Sequence, residues 1–166
     1  MGDLINKLSS YNLFNYLFPG IIFVALSKEI TAYSFVQQDI LLGIFLYYFV
    51  GLVISRFGSL AVEPFLKKVR FKKVPFLEFA PYKDFVAASK KDPQIEVLSE
   101  VNNTYRTLLS MFVLLFLLKL YEWVAQFWAP LQRQNIVIVL VILFVMFLLS
   151  YRKQTAYVNK RVKAQE

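Results

Sequence analysis

The chain has 166 residues, of which 58% are hydrophobic and 18% charged, and it carries a formal net charge of +8 without any histidine or cysteine. Soluble domains are about 45–50% apolar and about 25% charged, so this excess of apolar residues requires a non-aqueous environment. The composition predicts a small integral membrane protein. It excludes thiolate zinc sites, imidazole metal ligands, disulfides, and catalysis by histidine or cysteine.

Four segments are long and apolar enough to cross a bilayer as helices, which takes about 20 mostly apolar residues each. They are residues 13–32, 40–57, 108–128 and 135–151. The first contains Pro19-Gly20, which predicts a kink or local unwinding because proline lacks an amide donor and clashes with the preceding turn. Lys28 and Glu29 near its far end allow this helix to stop as early as Leu26. The fold class predicted is therefore an all-α membrane protein with four transmembrane helices.

The segment ahead of the first span places Leu4, Ile5, Leu8 and Tyr11 at helical spacing. This pattern is typical of an interfacial helix on the cytoplasmic leaflet, and a frayed lead-in to the span is an equal alternative. We expect the first span to be retained rather than cleaved as a signal peptide. Lys7 is the only cation before it, and no typical cleavage site follows it.

Lysine and arginine are distributed unevenly among the predicted loops. Nine lie in residues 58–107 and five follow residue 151. In contrast, only Lys28, at the far end of the first span, and Arg133, after the third, lie on the other side. By the positive-inside rule, we expect both termini and the long middle loop to be cytoplasmic. Tyr121, Trp123 and Trp128 then form an aromatic belt at the outer interface, and Ala129-Pro130 ends the helix just beyond it.

These boundaries divide the chain into four parts. They are an N-terminal segment with two spans at 1–57, a basic cytoplasmic domain at 58–107, two further spans at 108–151 and a basic tail at 152–166. The tail is predicted to be a helical extension that frays into solvent.

The cytoplasmic domain has its own local signals. Basic and apolar residues alternate over 67–79, which predicts a short strand or an extended segment. Pro64, Pro75 and Pro81 argue against a long helix there. A short helix is expected after Pro81, and Asp92-Pro93 is a typical helix start because Asp caps free amides and Pro suits the first turn.

The third span is predicted to begin well outside the membrane. No helix breaker separates Pro93 from Pro130, so one helix of about 35 residues and about 50 Å is expected at 1.5 Å per residue. A bilayer core is about 30 Å thick, and the first part of this helix should therefore project into the cytoplasm. Its apolar seam of Ile95, Leu98 and Val101 needs a partner, either the neighbouring loop or the same helix in another subunit. Homo-oligomerisation is the economical explanation.

Lys119 and Glu122 lie three residues apart within the third span. Ionisable groups inside a span are costly and commonly mark a bundle interior or an ion path, and this spacing lets the two side chains pair. One interpretation is a polar lining or gate of a pore. The equal alternative places the pair near the outer interface, with Lys119 reaching out to water.

Proline and glycine mark further positions in the first two spans. Pro19-Gly20 is a candidate hinge for gating, although such kinks are often only structural. Gly43 and Gly51 are near two helical turns apart, which favours close helix packing over pore lining.

The middle loop combines cations with aromatic rings, a mixture typical of single-stranded nucleic-acid binding. The residues concerned are Phe65, Lys67, Lys68, Arg70, Phe71, Lys72, Lys73 and Phe76. Basic clusters beside a span also arise from topology alone and bind anionic lipid headgroups, and the residues by themselves favour these two interpretations. No acid-base constellation indicates an enzyme, and no motif indicates a cofactor or a metal.

The segment LSSYNLFNYLFPGIIFVAL, followed by four spans and a compact basic loop, resembles small bacterial membrane effectors of anti-phage defence, especially those of the Hailong system. The likeness covers the whole chain in layout and is concentrated in residues 11–20. It implies a homo-oligomeric ion channel of the bacterial inner membrane, with four subunits. In that family, oligodeoxyadenylate made by a nucleotidyltransferase partner holds the channel closed, and opening depolarises the infected cell.

The resemblance changes the interpretation of the basic loop. It implies that the loop contacts an oligonucleotide, with Phe71 or Phe76 as stacking surfaces. The candidate phosphate contacts are then Lys67, Lys68, Arg70, Lys72, Lys73 and Lys83.

A second hypothesis stays open, in which the chain is a membrane-anchored scaffold or accessory subunit that recruits a cytoplasmic partner through residues 58–107.

Overall fold

The computed structural model describes residues 12–128 and 135–164, and this part of the chain is mostly helical. The elements are α1 (Leu13–Ile30), α2 (Ile40–Lys68), β1 (Arg70–Phe71), β2 (Val74–Pro75), α3 (Tyr82–Lys91), α4 (Gln94–Ala125) and α5 (Asn135–Lys163). Four of them, α1, α2, α4 and α5, are long and apolar enough to cross a membrane, which confirms the four predicted helices. The interfacial helix predicted over Leu4–Tyr11 and the helix end predicted at Ala129-Pro130 lie outside the described residues.

The helices differ from the predicted spans at their ends. α1 ends at Ile30, and α4 ends at Ala125 rather than at Trp128. α2 continues past Pro64 to Lys68, eleven residues beyond the span end predicted at Phe57, whereas residues 69–79 are not helical, as predicted from the prolines. α5 runs on through most of the basic tail, which confirms the helical extension predicted there.

Two π-helical turns explain how proline is accommodated. Leu13–Leu17 lies just before Pro19 in α1, and Gly58–Val62 lies just before Pro64 in α2. In both, the residue preceding proline donates its amide to the first carbonyl of the turn. Proline removes one helical hydrogen bond and crowds the turn before it, and the wider π turn relieves both problems without ending the helix.

α1 and α2 cross with their backbones in contact. A Cβ atom on Gly51 would lie 1.7 Å from the Tyr16 carbonyl oxygen, and one on Gly20 would lie 1.8 Å from the Tyr47 carbonyl oxygen. Only glycine leaves room for this approach, which confirms the packing role predicted for Gly51. Gly43 is instead covered by the Tyr47 ring of its own helix, 3.4 Å from the position of a Cβ atom.

The core lies among α1, α2 and α4. Ile54, Met111 and Leu115 are buried at its centre, and partly buried side chains from all three helices pack around them. α5 packs along α2, where the Phe49 and Phe147 rings stack with their centroids 6.1 Å apart. Most apolar side chains of α5 remain exposed, so its surface is available to lipid or to another subunit.

The connection between α2 and α4 carries the small β-hairpin and α3. β1 and β2 pair antiparallel, with Phe71 opposite Val74, within the segment predicted to be extended. The turn residues Lys72 and Lys73 both have left-handed φ angles, 48° and 73°, as a two-residue hairpin turn requires. The short helix predicted after Pro81 is confirmed as α3.

The start of α4 also follows the prediction. The Asp92 carboxylate accepts a hydrogen bond from the Gln94 amide at 2.9 Å, and Pro93 is the N-cap residue. At 32 residues, α4 is about 48 Å long and therefore exceeds a bilayer core of about 30 Å. The hairpin, α3, the start of α1 and the end of α5 all lie at one end of the helical bundle, which we call the hairpin end.

Candidate functional site

A buried polar cluster joins α1, α2 and α4 at the hairpin end of their apolar segments. The Thr107 hydroxyl lies 2.9 Å from Asn15 Oδ1 and 3.3 Å from Ser55 Oγ, and the Asn15 amide donates to Ser55 Oγ at 3.4 Å. Asn15 and Thr107 are fully buried, and Ser55 is nearly so. We call these residues the polar triad. Because hydrocarbon offers no hydrogen-bond partner, the three groups satisfy one another and fix the register of three helices.

Asn15→Leu is expected to lower the free energy of unfolding in detergent by about 1–2 kcal/mol, the upper part of the range measured for hydrogen bonds inside membrane proteins. Asn12→Leu is the matched control, because the Asn12 side chain makes no capping hydrogen bond on the same helix. A double-mutant cycle with Thr107→Val should give a favourable coupling energy. Independent effects of the two substitutions would contradict the contact.

A second polar contact ties α2 to α4 just beyond the polar triad. The buried Glu63 carboxylate accepts hydrogen bonds from Lys67 Nζ and Arg106 Nη1, each at 2.8 Å. The Lys67 ammonium also lies 4.0 Å from the centroid of the Phe79 ring. Lys67, a predicted phosphate contact, therefore already has a carboxylate and an aromatic ring as partners.

A groove with a volume of about 510 Å³ opens at the hairpin end, between α2, α3, α4 and α5. Two of its lining residues are the cations Lys67 and Arg106. Its aromatic lining residues are Phe79, Tyr82, Phe85 and Tyr157. We call this the hairpin-end groove. Cations beside aromatic rings are the chemistry with which proteins hold phosphates and stack bases.

The other predicted phosphate contacts lie outside the hairpin-end groove. They are Lys68, Arg70, Lys72, Lys73 and Lys83, all of them exposed on α2, the hairpin or α3. The rings of Phe71 and Phe76 meet edge to face at 5.8 Å, and both remain largely exposed. Lys67 therefore differs from these five cations, since it is paired with Glu63 and lines the hairpin-end groove.

Lys119 and Glu122 form an ion pair of 2.7 Å at the end of the bundle opposite the hairpin. The second Glu122 oxygen accepts a hydrogen bond from the Ala32 amide at 2.8 Å, which anchors the loop between α1 and α2 to α4. Burial, with Tyr121 and Glu122 nearby, raises the pKa of the Tyr33 phenol in that loop. The predicted pairing is confirmed, and the anchored loop favours the alternative at the outer interface. A role in a pore stays a prediction.

Glu122→Leu is expected to release the loop and to speed hydrogen exchange of the Ala32 amide about tenfold, since a protecting hydrogen bond is lost. Lys119→Met is the matched control. It removes the ion pair but leaves the carboxylate that accepts from Ala32. Equal acceleration in both variants would show that the ion pair, rather than this hydrogen bond, holds the loop.

The remaining predicted gate residues lie in the contact between α1 and α2. Pro19 and Gly20 are buried there, so any hinge motion at these positions would have to separate the two backbones. Their role in gating stays a prediction. Within residues 12–128 and 135–164, no group of three or more acidic side chains is arranged to hold a metal ion.

Sequence reasoning missed the polar triad, Glu63 and the environment of Arg106. A carboxamide at residue 15, inside an otherwise apolar span, was an available signal, because polar groups in spans usually have partners. Comparisons of this chain with protein-family models, with curated proteins and with solved structures found no match.

Proposed function

We propose that this protein is a homo-oligomeric ion channel of the bacterial inner membrane, an effector of anti-phage defence controlled from the cytoplasm by an oligonucleotide. One observation carries the proposal, an exposed stripe along α4. The stripe begins in the part of the helix that precedes the apolar segment and continues into that segment. Its members are Leu98, Val101, Tyr105, Leu109, Phe112, Phe116, Lys119 and Trp123. We call it the α4 stripe.

Neighbouring members of the α4 stripe are three or four residues apart, a spacing that places them on one face of the helix, as in helices that pack against one another in coiled coils. The first part of the α4 stripe precedes the polar triad in the chain. If the apolar segment of α4 crosses a bilayer core of about 30 Å, this first part lies in water. Leu98 and Tyr105 are 62% and 68% exposed there. Large apolar side chains exposed to water favour a partner, and the same stripe on a symmetry-related subunit is the simplest one.

Oligomerisation through the α4 stripe would bring its membrane part near a common axis. Phe112 and Phe116 are exposed at that depth, and rings of apolar side chains can close a pore by excluding water. Lys119, 57% exposed, would lie at the outer mouth of such a pore. In the proposed arrangement, Lys119 lies at one end of the pore, and Phe112 and Phe116 form its gate.

The positive-inside rule supports a cytoplasmic hairpin end, because the basic loop and the basic tail are both there. The resemblance to the Hailong effectors supplies the rest of the proposal. The ligand is oligodeoxyadenylate made by a nucleotidyltransferase partner, the assembly has four subunits, and the ligand holds the pore closed. The cations and rings of the hairpin-end groove and of the hairpin are the candidate contacts.

Binding of a fluorescent oligodeoxyadenylate to the detergent-solubilised protein tests the ligand. Replacing Lys68, Lys72 and Lys73 with glutamine should weaken binding at least about tenfold. It should also reduce the slope of the logarithm of the binding constant against the logarithm of the salt concentration by about two to three. The same change at Lys160, Arg161 and Lys163 is the matched control and should leave binding close to that of the unsubstituted protein. Equal losses in both variants, or no binding by the unsubstituted protein, would contradict the proposal.

The scaffold hypothesis makes a different prediction for the α4 stripe. A scaffold would use it to bind another protein and would itself be monomeric in detergent. The mass of the purified particle therefore distinguishes the two functions.

A further inference from the structure

A polar cavity of about 330 Å³ lies between α2, α4 and α5, with Tyr16 of α1 also in its lining, next to the polar triad. Its lining includes Arg56, Ser59, Asn103, Arg106, Gln154 and Tyr157. A smaller cavity of about 20 Å³ shares Arg56, Ser59, Gln154 and Tyr157 with it and adds Lys153. We call the two cavities together the interhelical basic site.

Three helices each contribute one cation to this site. Lys153 Nζ donates to the Ser59 hydroxyl at 2.7 Å and to the Ser59 carbonyl, so its hydrogen bonds go to neutral groups. Arg106 is paired with Glu63, but its Nε atom is buried without a hydrogen-bond partner in the described part of the chain. Arg56 forms no ion pair within residues 12–128 and 135–164.

One carboxylate therefore serves a site with three cations, and that carboxylate also pairs with Lys67. Partly buried positive charge without a counter-ion is costly. An anion that accepts hydrogen bonds from guanidinium groups would reduce the cost, and phosphate matches the planar donors of arginine in a bidentate manner.

The level of the site along the apolar segments indicates which kind of molecule supplies the phosphate. Arg56 follows the apolar segment of α2, Arg106 precedes that of α4, and Lys153 follows that of α5. The contact between Ser55 and Thr107 fixes α2 and α4 at the same level. If these segments span a bilayer, all three cations lie where the headgroups of one leaflet begin, and basic pockets between helices at that level bind anionic lipid headgroups.

We propose that the interhelical basic site binds the phosphate of an anionic phospholipid, whose acyl chains lie along the exposed apolar surface of α5. The lipid would join α5, which packs along α2, to Arg106 of α4. The site is distinct from the hairpin cations and does not depend on whether the assembly conducts ions.

Native mass spectrometry of the full chain, released from nanodiscs of phosphatidylcholine with added phosphatidylglycerol, tests the site. We expect the protein to retain phosphatidylglycerol, and Arg56→Gln to retain it about tenfold less well, the effect of losing one charge-assisted hydrogen bond. Arg56→Lys should keep part of the binding. Lys160→Gln removes the same charge from the exposed tail and should retain the lipid like the unsubstituted protein.

Equal retention by Arg56→Gln and Lys160→Gln would overturn the assignment. Binding of inorganic phosphate or of a short oligodeoxyadenylate without retention of phosphatidylglycerol would also overturn it, because the ligand would then be a soluble phosphate. If Arg56→Gln loses its helical circular dichroism, Lys153→Met takes its place in the same comparison, with the same outcomes.

Discussion

Gly51→Ala is expected to force α1 and α2 apart and to lower the free energy of unfolding by about 3 kcal/mol or more, which exceeds an ordinary overpacking effect. The added Cβ atom would lie 1.7 Å from the Tyr16 carbonyl oxygen and 2.5 Å from its carbonyl carbon. Both are backbone atoms in a helix and cannot move aside as a side chain can. The π turn at Leu13–Leu17, which carries Asn15, lies at this crossing, so the polar triad should be lost with it.

Gly43→Ala is the matched control for this prediction. It makes the same chemical change on the same helix, but the three atoms nearest to its Cβ atom would all belong to the Tyr47 side chain, at ordinary contact distances of 3.4–3.5 Å. Denaturant titration in detergent, followed by circular dichroism, should show a small change for Gly43→Ala and a large one for Gly51→Ala. Equal stability of the two variants would contradict the backbone contact.

Val101→Asp is expected to convert the oligomer into monomers. Val101 lies on the part of the α4 stripe that precedes the apolar segment and is 45% exposed in the single chain. In the proposed assembly, symmetry would place this residue of each subunit around one axis, so the substitution would bring like charges together, at a cost of several kcal/mol. Association should weaken at least about 100-fold.

Light scattering or mass photometry of the purified particle measures this effect. Val158→Asp is the control, because Val158 is an exposed valine on the hairpin-end extension of α5 and lies off the α4 stripe. We expect Val158→Asp to keep the assembly of the unsubstituted protein. Dissociation by both variants, or by neither, would show that the α4 stripe does not form the interface.

The sequence predicted the parts of the fold that follow from local patterns. Continuous apolar segments marked the four helices, the Asp92-Pro93 pair marked the start of α4, and alternation marked the hairpin segment. These features depend on residues that are close together in the sequence, so residue patterns were sufficient to predict them.

The features that the sequence did not predict have a common physical cause. The continuation of α2 past Pro64 was not predicted. A π turn before Pro64 accommodates the proline, and whether such a turn forms depends on the packing around it. Lys67 was grouped with the hairpin cations by sequence proximity, whereas its partner Glu63 is also held by Arg106, 43 residues away.

The same reasoning applies to the two polar sites. The spacing of three predicted the pairing of Lys119 with Glu122, but the Ala32 amide is 90 residues distant and no pattern indicates it. Asn15 meets Thr107 across 92 residues for the same reason. Long-range contacts of this kind need the three-dimensional arrangement.

Ion flux from liposomes that contain the purified protein tests the central claim most directly. We expect the unsubstituted protein to release a monovalent-cation or anion gradient, oligodeoxyadenylate on the side of the hairpin end to suppress the release, and Val101→Asp to abolish it. Unchanged conductance and selectivity in Lys119→Met would remove that residue from the pore. An oligomer that never conducts, with or without oligodeoxyadenylate, would contradict the channel function.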